Sequence, residues 1–355
     1  MEEKNDYLKG RGAQFNTFNR FRKQEYDLVH IEGVDEEMEV GGQTQVFYEH
    51  PKKILNEVKG ADLPFGWSMN PYQGCEHGCI YCYARPTHEY WGYSAGVDFE
   101  RKIIVKENAP ELLRNELMKD KWKPAAMMFS GNTDCYQPLE RKLGITRRML
   151  EVLREFRNPA SMITKNSLIL RDLDILKDMA SMNLIQVSIS ITSLDNDLRL
   201  ALEPRTATAA QRLKTVEVLS ANGIPVNVMI APIIPGLNHH EIPEIMKAAA
   251  ERGAVSAGYT IVRLNGSLQP LFEDWLHKNF PDRAEKVLNH IRSCHGGQLN
   301  DSRTGTRMRG EGNMALSIRD LFRLSRLKYL KGRILPDFDL SLFRRPGKVE
   351  QLGLF

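Results

Sequence analysis

Three cysteines, Cys75, Cys79 and Cys82, fall within a stretch of eight residues in the spacing C-x3-C-x2-C. Thiolates this close in sequence can converge on one metal centre while little chain is ordered around them. A closed zinc site wants four ligands, so a zinc site here must recruit His77 or His88. An iron–sulfur cubane also normally takes four cysteines. Three would leave one iron open to a ligand from outside the chain.

The surrounding residues, Asn70-Pro71-Tyr72 and then Cys75-Glu76-His77-Gly78-Cys79-Ile80-Tyr81-Cys82-Tyr83-Ala84-Arg85-Pro86-Thr87-His88-Glu89-Tyr90, resemble the signature of the radical S-adenosylmethionine (SAM) enzymes. Within that family they are similar to a bacterial branch grouped with spore photoproduct lyase, a DNA-repair enzyme. The likeness runs from about Gly10 to Pro346. It implies a [4Fe–4S] cluster on Cys75, Cys79 and Cys82, with S-adenosyl-L-methionine on the open iron. It also implies a low-potential electron donor, such as flavodoxin or ferredoxin, and a lyase or repair reaction on a nucleic acid. Radical modification of a protein, tRNA or small metabolite shares the same start. A non-catalytic iron–sulfur redox protein, or a nucleic-acid-binding module, would need no SAM pocket.

The elements that must hold such a site follow from Trp67 onward. Short apolar runs alternate with amphipathic runs of helical length, the pattern of βα units and a parallel sheet. Strands are predicted at 66–70, 125–130, 161–165, 184–192, 226–231 and 257–263, and helices at 107–119, 146–156, 171–182, 206–221 and 240–252. The expected fold is α/β, a partial (β/α)6 TIM-like barrel with an N-terminal arm and a basic helical C-terminal extension. The expected division is 1–60, 61–265 and 266–355. In the fourth strand Ile185, Val187, Ile189 and Ile191 point one way, and Gln186, Ser188, Ser190 and Thr192 the other. A small, polar inner face suits a lumen that holds a ligand.

In βα barrels the loops after the strands converge on the site of chemistry. The SAM carboxylate wants a cation, which Lys165 or Arg205 could supply. Its amine wants acceptors, available around Ser130 and Thr133. Ribose hydroxyls suit Ser188 or Ser190, and adenine suits Tyr81 with the Ile234–Gly236 turn. The alternatives are surface ion pairs for the two cations, packing for the serines and a plain turn at Gly236. Cys135 is a candidate radical-quenching hydrogen donor, although the resemblance would place such a cysteine at about Gly131. His88 and Glu89 are expected to shape the cysteine loop through hydrogen bonds.

The chain has 355 residues, 42% hydrophobic and 26% charged, with a net charge of +4. That is ample for a globular core. Met1 to Asp6 show no apolar h-region, so no secretory signal is expected. The apolar run at 226–235 is too short to span a bilayer. Five cysteines, three clustered, suit a reducing cytoplasm. Residues 1–42 read as a loosely docked arm containing Arg11, Arg20, Arg22 and Lys23. Between Arg303 and Lys348 twelve Lys/Arg face four Asp/Glu, an excess of eight. Such an excess suits either a polyanionic partner or a solvated face. Arg303, Arg307 and Arg309 would offer cations to an anionic substrate if their loop folded over the barrel.

Overall fold

The computed structural model describes residues 8–19, 21, 44–58, 60 and 65–347. Arg20, Arg22 and Lys23 of the arm lie outside these. Its strands are β1 (Gln45–Glu49), β2 (Leu55–Glu57), β3 (Trp67–Met69), β4 (Tyr72–Gln73), β5 (Lys102–Lys106), β6 (Met127–Phe129), β7 (Ala160–Thr164), β8 (Ile185–Ser190), β9 (Val226–Ile233) and β10 (Ser256–Ile261). The first six α-helices are α1 (Val97–Arg101), α2 (Ala109–Met118), α3 (Glu140–Leu143), α4 (Ile145–Phe156), α5 (Leu173–Ser181) and α6 (Asn196–Leu202). The rest are α7 (Ala209–Ala221), α8 (Ile242–Glu251), α9 (Leu268–Asn279), α10 (Ala284–Cys294) and α11 (Gly312–Tyr329).

The main sheet runs β10-β9-β8-β7-β6-β3-β2, with β2 antiparallel to β3 and the remaining pairs parallel. The six parallel strands are those expected from the alternating pattern, and the protein is an open α/β partial barrel. The side chains of β8 show why. Ile185, Val187 and Ile189 are buried, while Gln186 and Ser188 are half-buried. The same alternation recurs in β7 and β9, so one face packs under the helices and the other lines an open lumen. Burial of each branched side chain on the helix face contributes about 1.5–3 kcal/mol. A second sheet, β1-β5-β4, lies beside the cysteine loop and was not expected.

The described part of the N-terminal arm is firmly docked, contrary to expectation. Both carboxylate oxygens of Glu100 accept from its backbone, from Gly12 at 3.2 Å and Ala13 at 2.8 Å. Asn19 donates to the carbonyls of Glu89 and Tyr93. A Cβ on Gly12 would drive into the Gly78 carbonyl, so only glycine permits this approach.

Part of the basic C-terminal extension docks on the barrel, while Arg319, Arg323, Arg326 and Lys328 form a solvated face on α11. After α11 the chain crosses the face opposite the strand tops. Arg333 donates to the carbonyls of Ala250 and Ala254, both at 2.8 Å. Gln186 donates to Pro336 O, and Asp339 N to Asn183 O. Arg344 reaches Glu155 O at 2.9 Å, and Arg345 reaches Lys119 O and Trp122 O, each at 2.9 Å. The Ala250 and Glu155 carbonyls lie in the last turns of α8 and α4, and Lys119 caps α2, where cations are favoured. Much of the charge excess near the end of the chain therefore belts the barrel bottom. Arg303 is held by Asp301 and Glu311, and Arg309 lies 4.3 Å from the Tyr259 ring centroid. Their loop follows the open edge of β10, where Ile261 N donates to Met308 O.

Candidate active site

The cysteine loop leaves β4 and is braced from behind by one fully buried guanidinium. Arg85 Nε donates to Cys79 O at 2.9 Å, and its other nitrogens donate to Gly78 O, Ala95 O and Gly96 O. It also pairs with Glu100 at 2.5 Å. Gly78 turns the loop with φ +68°, a conformation that disfavours any side chain. Cys75 and Cys79 are buried and Cys82 is half-buried. Burial pushes the Cys75 thiol well up, as does repulsion from Asp134, Cys79 and Cys82. Cys79 is raised to about 12, chiefly by burial, with Lys165 pulling the other way.

A positively charged group bound to all three sulfurs would relieve this repulsion, so the donor set fits an iron–sulfur cluster. Among the described residues no three His, Cys, Asp or Glu side chains gather tightly enough to hold a single ion. A cubane asks for something looser, because each thiolate takes a different iron. The histidines that zinc would need are turned elsewhere. His77 Nδ1 faces Asp134 at 3.3 Å and its Nε2 faces Asn166 at 3.4 Å. His88 sits among aromatic rings.

Above the loop two carboxylates organise the strand tops. Asp134 accepts from Lys165 N at 2.8 Å and from the Thr164 hydroxyl at 2.7 Å. Burial alone would raise its pKa, but His77 and these donors hold it at about 2. Glu203 is fully buried and accepts from Thr192 at 2.6 Å, from the Tyr81 phenol and from Arg212. Burial again opposes ionisation, and Arg212 and Lys165 outweigh it to give about 2. Arg212 continues the network to Ser190 O at 3.0 Å. Lys165 follows Ser161 and Ile163 on the lumen side, with its Nζ 5.8 Å from the Tyr81 ring centroid. Burial works against its charge, yet Cys79 and Glu203 raise its pKa.

Both depressed carboxyls tie stability to pH. In the unfolded chain they bind protons below about pH 4, whereas the folded chain refuses them down to about 2. Their stabilisation is therefore full above pH 5 and is lost as pH falls toward 2. Urea unfolding measured from pH 6 to 2.5 is expected to show this fall, with a smaller slope in Glu203→Gln.

The expected ligand-binding residues are only partly brought together. Tyr81, Lys165 and Ser190 meet around Glu203, and Ile234 shares a buried cluster with Cys79 and Tyr81. Ser188 accepts from Asn227 on the lumen face at 3.0 Å. Thr133 spends its hydroxyl on Tyr72 O at 2.9 Å, and Ser130, at φ +69°, accepts from Cys135 N at 3.0 Å. Arg205 does not join Lys165: it faces Glu76 at 3.7 Å. Gly236 turns at φ +91° beneath Val287 and His290 of α10. Cys135 has no exposed surface and packs in the main core on the helix side of the sheet. The sequence reading assigned no role to Arg85, Glu100 or Arg212. Arg85 and Arg212 reach partners 5 to 22 positions away that only the folded loops bring round them, and Glu100 accepts from the arm 87 and 88 positions earlier. The sequence reading also passed over Tyr83, half exposed, whose phenol donates to Gly131 O.

A family model described as the radical SAM superfamily matches residues 69–249. An uncharacterized protein of Mycobacterium tuberculosis is 33% identical over 244 residues, 68% of this chain and 72% of its own length. Another, of Methanocaldococcus jannaschii, is 29% identical over 238 residues, 67% of this chain and 85% of its own. A solved structure of a spore photoproduct lyase mutant, with bound AdoMet and dinucleoside spore photoproduct, has a TM-score of 0.60 at 14% identity. It covers 83% of this chain and 82% of that one. At such identity the likeness is one of fold.

Proposed function

The chain belongs to the radical SAM superfamily, and we propose that it cleaves SAM reductively and uses the radical to take a hydrogen atom from a nucleic-acid lesion, in a lyase or repair reaction. The observation that carries this reading is the trio of thiols beside Lys165 and Tyr81, at the top of a polar lumen. When bound by Cys75, Cys79 and Cys82, a [4Fe–4S] cluster supplies the electron that splits SAM into methionine and a 5′-deoxyadenosyl radical.

The chain's own residues bind and orient. Lys165 is the cation for the SAM carboxylate, since Arg205 is engaged by Glu76. With the Thr133 hydroxyl committed to Tyr72, backbone carbonyls around Ser130 and Thr133 accept from the amine. Ser188 and Ser190 lie on the strand that would meet the ribose, and Tyr81, Ile234 and Gly236 line the side assigned to adenine. Glu203 holds Tyr81 and Lys165 in place through its hydrogen bond and charge. The belt of Arg333, Arg344 and Arg345 helps seal the bottom against water, which suits a reactive intermediate. Five free cysteines support a reducing, cytoplasmic setting, and no described helix is long and apolar enough to cross a membrane.

The lesion reading is supported by the fold shared with spore photoproduct lyase. Modification of a protein, tRNA or small metabolite is the second reading, favoured by the engagement of the basic tail with helix-end carbonyls. Oxygen-free protein given iron, sulfide, dithionite and SAM should release 5′-deoxyadenosine. Product analysis with damaged DNA, RNA and peptides would then separate the readings, and no deoxyadenosine under any condition would refute both. Lys165→Met is expected to weaken SAM binding about 10- to 100-fold, the loss of one charge-assisted contact. Equilibrium titration with SAM measures it, and an unchanged affinity would remove Lys165 from the site.

A further inference from the structure

A file of aromatic rings leads from the cysteine loop to solvent. Phe99 is buried and packs against Cys75, Ala84 and Cys82. The His88 imidazole stands edge-on to Phe99, with 5.6 Å between ring centroids. Tyr93 lies against His88 at 5.2 Å, and Phe47 against Tyr93 at 5.6 Å. Phe47, on β1, is 37% exposed.

His88 is the unusual member. It has no exposed surface, and neither ring nitrogen has a well-formed hydrogen-bond partner. Burial lowers its pKa to about 4, so the ring is neutral at pH 7. Its one polar contact is a poorly formed one with the Asp98 backbone, so the ring meets the loop chiefly by packing. Enclosing polar nitrogens without partners is costly, and an apolar side chain would pack without that cost. What the ring does provide is continuous contact between Phe99 and Tyr93.

We propose that the exposed end of this file, Phe47 with Tyr93 and Lys102, is the docking surface of a protein one-electron donor, and that Phe47, Tyr93, His88 and Phe99 form the packed path from it to the cysteine loop. The inference rests on the reading that Cys75, Cys79 and Cys82 hold a cluster. The occupant is a small carrier with a low-potential flavin or iron–sulfur centre and an acidic rim. Such a cluster must receive one electron from outside before it can cleave SAM, and on that reading the lumen side is taken by SAM and substrate. The file leaves instead through the small β1-β5-β4 sheet. Charge complementarity favours an acidic partner. Lys102 Nζ lies 4.8 Å from the Tyr93 ring centroid while pairing with Asp98 at 3.2 Å, and Lys52 and Lys53 are exposed just beyond β1.

Tunnelling falls steeply with distance, and more steeply across gaps than through packed matter, so an unbroken file favours transfer. The rings are a medium and are not themselves reduced. One electron leaves the donor's centre, which is oxidised by one unit, and the cluster is reduced by one unit. No bond forms or breaks, and no proton moves.

The test is rapid mixing of the reconstituted holoprotein with reduced flavodoxin, and separately with dithionite, following the loss of cluster absorbance. Phe47→Glu should lower the second-order rate constant with flavodoxin at least tenfold and leave the dithionite rate within twofold of wild type. Lys102→Glu should lower the flavodoxin rate at least threefold and flatten its decline with salt. Leu324→Glu, on the exposed side of α11, should change neither rate. If Phe47→Glu and Lys102→Glu both match wild type with flavodoxin, the docking surface is refuted while the cluster reading stands. If wild-type protein forms no cluster that dithionite can reduce, both fail together.

Discussion

Cys79→Ala, reconstituted without oxygen, is expected to form no 5′-deoxyadenosine above background and to retain only a small fraction of the wild-type iron and sulfide. The reason is ligand arithmetic. Three thiolates would each hold one iron, the fourth being left for SAM. Losing one exposes a second iron, and no neighbouring thiol can take its place. Cys135 is sealed in the main core, and Cys294 is buried at the end of α10. Cys75→Ala and Cys82→Ala should behave alike. The fold should survive, because the loop is held by Arg85, Glu100 and the Gly12–Ala13 backbone and not by its sulfurs. Circular dichroism near wild type, together with iron counts and chromatography of the products, checks the prediction. A Cys79→Ala protein that still cleaves SAM would show that the electron-delivering group lies elsewhere.

Glu203→Ala should lower stability by about 3–5 kcal/mol, the usual cost of breaking a buried ion pair from one side. Arg212 would be left charged and almost wholly enclosed, and Tyr81, Thr192 and Thr206 would lose an acceptor. Glu203→Gln keeps an acceptor but loses the charge, so an intermediate loss is expected. Denaturant midpoints at pH 7 measure both. A loss below about 1 kcal/mol for the alanine variant would mean that water replaces the carboxylate, and that the network is not what holds Tyr81 beside Lys165.

The barrel was legible because its strands alternate. Ile185 to Ser190 announce a buried face and a lumen face with no help from distant residues, and Asn222-Gly223 after α7 ends its helix by local chemistry. The second sheet was not legible. Tyr72–Gln73 is too short to carry a period, and β1 gains its meaning only by pairing with β5. Charge was the least informative signal. Arg333, Arg344 and Arg345 read as a cationic tail because their partners are backbone carbonyls up to 226 positions away, which composition cannot reveal. The clustering of three cysteines and the lysine at a strand top could be read from residue type and place, and the structure sets Lys165 Nζ 5.8 Å from the Tyr81 ring centroid. Arg205 faces Glu76, which in the sequence looks like a mere spacer between cysteines. Arg85 stands in the motif, but its role depends on Glu100 and on a glycine at position 12.

The most direct test is Mössbauer and electron paramagnetic resonance spectroscopy on oxygen-free, iron-reconstituted protein, with and without isotope-labelled SAM. One [4Fe–4S] cluster is predicted, with a single iron whose signal changes on adding SAM and couples to the labelled amine and carboxylate. A zinc-filled site, or a cluster with all four irons held by side chains and indifferent to SAM, would contradict it.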